Sequence, residues 1–314
     1  MNPISLQEER PKPSVAVLLA AFNGMAWLPE QLASVLDQVE VTVTVFVSVD
    51  QSTDGTEAWI DQMATQDSRI QVLPHGQIFG GAAPNFFRLI REIDFSRFDF
   101  VALADQDDLW LTHKLSRAIE VLKNEQADAY SSNVIAFWPD GKKVLIKKSQ
   151  PQVRWDFLFE AAGPGCTYVL TKPFALALQE RIHRQANIVS KIGLHDWFIY
   201  AFARSSKFQW VIDSEALMLY RQHAGNQVGM NKGLKALKHR AQKVLSGWAF
   251  EQSRLIAKAN GLDQSLFVKT CLNGKRLAFL GLGLYSWQCR RRLSDRIIFS
   301  GMCFLLALIG QGSS

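Results

Sequence analysis

Residues Ala102–Trp110 read ALADQDDLW: an apolar run, then Asp105, Asp107 and Asp108 within four positions, then apolar side chains again. Adjacent carboxylates repel and raise one another's pKa, a cost that a shared cation removes. Hard divalent ions such as Mg2+ or Mn2+ take oxygen ligands and are commonly held by one or two carboxylates together with substrate phosphates. A solvated acidic loop leading into a helix accounts for the same residues without any chemistry. The chain has no Gly-x-x-x-x-Gly-Lys loop, so phosphates would not be cradled as in P-loop enzymes.

The elements around these acids alternate. SVAVLLAAF (14–22) is a short apolar run, bounded by prolines before and Asn23-Gly24 after, as expected for a strand buried on both faces. VTVTVFVSVD (41–50) is a second strand ending on Asp50, RIQVLP a third and FDFVALA (98–104) a fourth. Between them, WLPEQLASVLDQ, EAWIDQMATQ and PNFFRLIREI read as helices, and Thr112 is placed to cap HKLSRAIEVLKNE. This order predicts an α/β, doubly wound, Rossmann-like sheet whose ligands bind outside the carboxyl ends of the strands. Asn23, Asp50, Asp105 and Asp107 all fall at that rim. From Ala129 a hairpin about Asp140-Gly141 and further short strands predict an antiparallel extension of the sheet, making it mixed but mostly parallel.

At 314 residues and 48% hydrophobic content the chain can bury a full core. Cys166, Cys271, Cys289 and Cys303 show neither C-x-x-C spacing nor clustering with histidine, which argues against a zinc site or a disulfide framework and suits a reducing cytosol. The first 13 residues read as a loose tail without a secretory h-region. The net charge of +6 hides an asymmetry: residues 227–314 carry fourteen Lys or Arg and three acids. The last quarter therefore faces something anionic, or presents a solvated basic face.

AAFNG, VSVDQSTDGT and LADQDDLW, each following a strand, resemble the inverting glycosyltransferase family 2 with its GT-A fold. The combination ADQDDLW, GCT, LHDWF and YRQHAGNQVG is most similar to the bacterial rhamnosyltransferase branch that builds O-antigen and other cell-envelope glycans. The resemblance spans residues 13 to 230 and implies a catalytic domain over 14–230, followed by a basic helical extension over 231–314.

By position, the resemblance places Asp50 on the nucleotide base with Asn23 beside it, Asp105 toward the ribose and metal, and Asp107 on the metal bridging the donor diphosphate. Val49 stands where the family often has a first acid, leaving Asp50 to act alone. Asp196, in LHDWF, is the candidate general base: inverting transfer needs one carboxylate to take the acceptor proton while a metal steadies the departing diphosphate. A helix-capping Asp is the plainer account of that residue. Arg221 and His223 would bring positive charge or a metal ligand in a loop closing over the diphosphate, and Cys166 and Thr167 would lie near the acceptor. The implied partners are a nucleotide-sugar donor, dTDP-β-L-rhamnose or another UDP- or GDP-linked sugar, and a lipid-linked oligosaccharide acceptor.

In the tail, residues 232–248 form a basic amphipathic helix pattern, and 297–310 are apolar but too few for a confident membrane span. This region is expected to dock on the anionic inner face of the membrane or to pack on the catalytic domain. No reader motif accompanies the charge, so nucleic acid is not an expected partner. A nucleotidyltransferase would show a basic glycine-rich loop after the first strand, which AAFNGMAWLP lacks. A non-catalytic glycan-binding protein would have no need of Asp196 beside an intact Asp105/Asp107 pair.

Overall fold

The computed structural model describes residues 11–223 and 247–310. Its centre is a seven-stranded sheet in the order β10-β6-β9-β4-β1-β2-β3. The strands are β1 (Ser14–Ala21), β2 (Thr42–Val49), β3 (Ile70–Val72), β4 (Phe100–Asp105), β6 (Ala129–Ser132), β9 (Val169–Thr171) and β10 (Trp210–Asp213). All neighbours pair in parallel except β9, which runs antiparallel to both β4 and β6.

The pleat divides the core in two. Val15, Val17 and Leu19 of β1 pack on one face with α1 (Leu28–Leu36) and α4 (Lys114–Asn124); Ala16 and Leu18 pack on the other with α3 (Ala82–Glu92), α5 (Lys172–Arg184) and α7 (His195–Ser205). In α1 the buried residues Leu28, Leu32 and Val35 recur at helical spacing.

Three expectations differ in detail. The strands after β6 do not all extend the main sheet. β7 (Val134–Phe137) and β8 (Lys143–Ile146) form the hairpin about Asp140-Gly141, but in a separate four-stranded sheet, β5-β11-β7-β8, with β5 (Leu109–Trp110) and β11 (Met218–Arg221). One of the short strands expected after the hairpin, GPGCTYVLT (163–171), begins instead as a 3-10 turn over Gly165–Thr167, and only Val169–Thr171 is a strand. Thr112 does not cap α4: the Lys114 N–H bonds the Leu111 carbonyl in a turn that delays the helix, and His113 occupies the N-cap position.

Beyond residue 247, α8 (Trp248–Ala259), α9 (Leu266–Cys271), α10 (Arg276–Leu284), α11 (Ser286–Cys289) and α12 (Leu293–Ile309) follow. Phe250, Ile256, Phe279 and Leu306 join the core on the α3/α7 side. Trp155 stacks on Phe267 with ring centroids 4.3 Å apart, and buried Arg291 donates to the Ala161 carbonyl at 2.6 Å. No described helix is long and apolar enough to cross a membrane. The amphipathic pattern at 232–248 lies almost wholly outside the described residues.

Candidate active site

The parallel register aligns the strand ends that carry the acids. Ala20 of β1 sits opposite Asp105, and Ala21 opposite Val49, the residue before Asp50. Asp50 and Asp105 thus flank β1 at one rim, two strand spacings or ~10 Å apart.

Asp50 is buried, and backbone amides satisfy it: Phe79 N–H at 2.8 Å and Gly80 N–H at 2.9 Å, with its own neighbour Gln51 at 3.0 Å. The carboxylate therefore shapes the Phe79–Gly80 loop around the rim. Asn23, with φ +46°, accepts from Thr53 N–H at 2.8 Å, and its own N–H donates to Ser52 Oγ at 3.0 Å, joining the loops after β1 and β2. Asn85 and Arg88 of α3 are buried for structural reasons: Asn85 donates to the Ser48 carbonyl, and Arg88 to Ser48 Oγ and the Pro74 carbonyl.

Gln106, in the middle of the acidic stretch, is a residue that the motif reading passed over. Its side-chain amide makes a two-sided clamp on Phe22, accepting from the N–H at 2.7 Å and donating to the carbonyl at 2.9 Å. It imitates a backbone partner and fixes the acidic loop to the loop after β1. A Cβ on Gly24 would lie 2.6 Å from Gln106 Oε1, so glycine is needed for this approach.

The three acids point to different partners. Asp107 Oδ2 lies 2.8 Å from His223 Nε2. Asp108 is fully buried; one oxygen accepts the Arg221 N–H at 3.1 Å and the other has no hydrogen-bond partner among the described residues. Burial, then the charges of Asp105 and Asp107, push Asp108 well above the usual carboxylate range. Asp105 is pushed up to about 7, first by burial, then by Asp107, with a further contribution from Asp196. Cys166 faces both acids, and its ligand atom and theirs all lie within 4.8 Å of one another. Behind them Lys114, also buried, sits 3.5 Å from the centroid of the Trp110 ring; burial lowers it to about 7, so its counter-charge to the acids is only partial at neutral pH.

These donors fit a hard divalent cation. Carboxylate oxygens crowd together, and one of them is buried without a hydrogen-bond partner among the described residues. The thiol is a poor ligand for such an ion, because burial and the neighbouring acids hold its pKa well above the ordinary thiol value. Asp105 and Asp108 are the acids whose oxygens the fold brings together to hold it, while Asp107, between them in the chain, is paired with His223.

Arg221, at the end of β11, is fixed rather than free. Its Nε donates to the Asp107 carbonyl at 2.8 Å, its guanidinium pairs with Glu30 at 2.6 Å, and it lies between the rings of Trp27 and Phe137. His223 stacks on the same Trp27 with centroids 5.2 Å apart. Trp27 and Glu30 flank the start of α1; the sequence offered no signal for them beyond a helix N-terminus.

On the other side, α7 presents Asp196 in its first turn. Leu194 is the N-cap residue, and Asp196 accepts the N–H of Trp197 at 2.8 Å. Half-buried, it is pushed up to about 6, chiefly by burial. His195 is buried against Phe86, ring on ring at 4.0 Å, and burial drives its pKa down to about 3, so the imidazole is neutral. Its Nε2 has no hydrogen-bond partner among the described residues and faces Gly165, where a Cβ would sit only 2.5 Å away. The turn that brings Cys166 to the acids therefore also closes on α7. Cys166 and Thr167 are fully buried, so their side chains offer no surface to an acceptor; Thr167 Oγ1 bonds the Pro164 carbonyl at 2.7 Å.

With a strand-end acid platform and an opposing carboxylate in place, similarity to known proteins becomes decisive. The family model described as Glycosyl transferase family 2 matches residues 16–175. The chain is 41% identical over 288 residues, 91% of its length, to the dTDP-rhamnosyl transferase RfbG of Shigella flexneri, of which it covers 99%. The chain belongs to glycosyl transferase family 2. This family 2 transferase is also 26% identical over half its length to an Escherichia coli enzyme named UDP-Glc:alpha-D-GlcNAc-diphosphoundecaprenol beta-1,3-glucosyltransferase, covering 59% of it. Its GT-A fold is shared with S. aureus TarS 1-349 in complex with UDP, at TM-score 0.55, 15% identity and coverage of 94% of this chain and 81% of that one. A mannosyltransferase from Pyrobaculum calidifontis in complex with GDP-Man and Mn2+ aligns at TM-score 0.51 and 15% identity, over 95% of this chain and 88% of that one.

Proposed function

We propose that this transferase moves L-rhamnose from dTDP-β-L-rhamnose, with inversion, onto a lipid-linked glycan at the inner face of a bacterial membrane, in envelope polysaccharide synthesis. The observation that carries the mechanism is Asp196, a half-buried carboxylate that no cationic side chain bonds among the described residues, though Lys148 attracts it, and close enough to Asp105 to raise that acid further. The donor assignment is supported by the identity to the S. flexneri dTDP-rhamnosyl transferase, and the lipid-linked acceptor by the diphosphoundecaprenol substrate in the name of the E. coli relative.

The residues divide the work. The loop that Asp50 and Asn23 hold together receives the nucleotide, and Gln106 keeps it in register with the acidic stretch. Asp105 and Asp107, with His223, would hold Mg2+ or Mn2+, whose charge would offset that of the departing diphosphate. Asp196 takes the proton of the acceptor hydroxyl as that oxygen attacks C1 of the sugar from the face opposite the diphosphate. The C1–O bond to dTDP breaks and the configuration at C1 inverts. One carboxylate suffices, unlike the pair that glycoside hydrolases place about the bond. Arg221 positions the platform: its side chain and amide fix the Asp107 carbonyl and the Asp108 carboxylate.

The test is nucleoside diphosphate release from dTDP-, UDP- and GDP-linked sugars with a lipid-linked acceptor present. Release from dTDP-rhamnose above all others, lost in Asp196→Asn and on chelation of divalent ions, is expected. Preference for a UDP- or GDP-sugar would overturn the donor assignment, and full turnover in Asp196→Asn would remove that residue as base.

A further inference from the structure

The helices after residue 266 invert the usual distribution of side chains. Along α12 the outward positions recur as Ile297 and Ile298, Gly301, Phe304 and Leu305, then Leu308 and Ile309, the 3-and-4 spacing of one helix face, while Cys303 and Leu306 point inward. A surface helix normally turns polar residues outward; this one is apolar on both sides from Ile297 onward.

Its neighbour repeats the pattern. α10 runs antiparallel to α12: Ser300 Oγ bonds the Gly283 carbonyl at 2.9 Å, a Cβ on Gly283 would meet the Phe304 ring at 2.7 Å, and Arg276 at the other end of α10 lies beside Gly310. Glycine at 283 is what lets the two helices approach. Outward from this hairpin project Leu277, 80% exposed, and Leu284, 74% exposed, with Trp287 of α11 continuing the row. Summed over the adjacent helices, the exposed parts of these apolar side chains amount to on the order of 1,000 Å2, an amount that soluble monomers seldom leave exposed on neighbouring elements.

The charge around the face selects its occupant. Between Leu266 and Gly310 the chain has seven Lys or Arg and one acid, Asp295. Exposed Lys275 and Arg276 stand at one end of the hairpin, beside Gly310, and exposed Arg292 at the start of α12. Arg296 lies over the Trp287 ring at 5.0 Å, an aromatic and a cation stacked at the edge of the apolar stripe. Cations flanking an apolar stripe with a tryptophan at its margin suit a phosphate layer over acyl chains. A second copy of the chain docked face to face by two-fold symmetry would bring the same cations against each other.

We infer that the α10–α12 hairpin is an interfacial membrane anchor, lying flat with Ile297, Leu308 and Leu284 in the acyl boundary of an anionic leaflet and Lys275, Arg276 and Arg292 on its phosphates. The inference deepens the membrane-side part of the proposed function, and its test is independent of turnover. The full-length protein is sedimented with vesicles of phosphatidylglycerol and phosphatidylethanolamine, and with phosphatidylcholine alone. Binding to the anionic vesicles is expected to fall at least tenfold in the double variant Ile297→Glu, Leu308→Glu and severalfold in Arg276→Glu, Arg292→Glu. Donor hydrolysis in solution and the thermal midpoint should stay unchanged, because every substituted side chain is exposed. A milder variant, Leu277→Ser with Leu284→Ser, should weaken binding in the same direction. Equal binding by wild type and all variants would overturn the anchor, whatever the outcome for the donor sugar. So would a dimer in light scattering that the Glu variants dissolve while vesicle binding is absent.

Discussion

The acidic rim and the C-terminal hairpin break opposite halves of the same rule. At the rim, Asp108 and Lys114 are buried and Asp105 and Asp196 are held above the ordinary carboxylate range by desolvation. At the hairpin, Leu277, Leu284 and Leu308 are left outside. Polar groups inside and large apolar groups outside are the two placements that folding alone disfavours. The proposed function and the proposed anchor give each placement a partner: a cation and a diphosphate for the carboxylates, a lipid surface for the leucines. The two regions also differ in construction. Hydrogen bonds from Gln106, Asp50, Asn23 and Arg221 over-determine the rim, whereas the hairpin is held by close helix packing at Gly283 and by the buried core behind it.

Removing the chemistry from the rim should give the largest effects. Asp107→Ala and Asp196→Asn are each expected to lower kcat by ~100-fold to 10,000-fold, the range that general acid–base and metal contributions occupy. Steady-state release of dTDP measures it. The same Asp196→Asn protein should be at least as stable as wild type at pH 8. Asp196 has a folded-state pKa near 6 against a normal value of 3.8, so the stability it contributes is present in acid and lost as the pH rises through that interval. Thermal melts at about pH 3.5 and pH 8 would show the variant gaining relative to wild type as the pH rises between them, with part of the gain already present near pH 5.

Disturbing the supports should cost less. Gly165→Ala places a methyl group against His195 and is expected to cost about 1 to 3 kcal/mol of stability, the range for overpacking, with a lower kcat as α7 shifts. Gln106→Ala removes both bonds to Phe22 and should raise KM for the donor several-fold with a smaller change in kcat, at a stability cost of about 1 to 2 kcal/mol. The smallest stability effect belongs to the other region: Leu308→Glu should change the melting free energy by less than about 0.5 kcal/mol, as exposed substitutions do. A large loss there would mean that the residue is packed in solution and would dissolve the contrast between the two regions.

The sequence carried much of the fold because its strands are strongly patterned. β1, β2 and β4 are near-continuous apolar runs ending in polar residues, and each was legible with its rim residue. The second sheet was not: β5 is two residues long and β11 four, too short for a period, and their pairing is set by contacts across more than a hundred residues. Among site residues, the carboxylates were legible because like charges seldom cluster without cause. Gln106, Trp27 and Lys114 were not, since an amide, an aromatic ring and a lysine are ordinary near helix starts and become informative only through what they touch. The orientation of the tail was legible in part. Its charge bias pointed to an anionic partner, but which apolar residues face outward depends on which side of α12 meets the core.

The central claim is that Asp196 accepts the acceptor proton opposite an acid platform. The pH dependence of kcat with dTDP-β-L-rhamnose and a lipid-linked acceptor, in wild type and Asp196→Asn, tests it most directly. The account predicts a wild-type profile that rises about tenfold per pH unit below pH 6 and flattens above it, and a variant whose remaining activity is at least ~100-fold lower with that limb gone. A variant that keeps wild-type turnover and the same acid limb would contradict it.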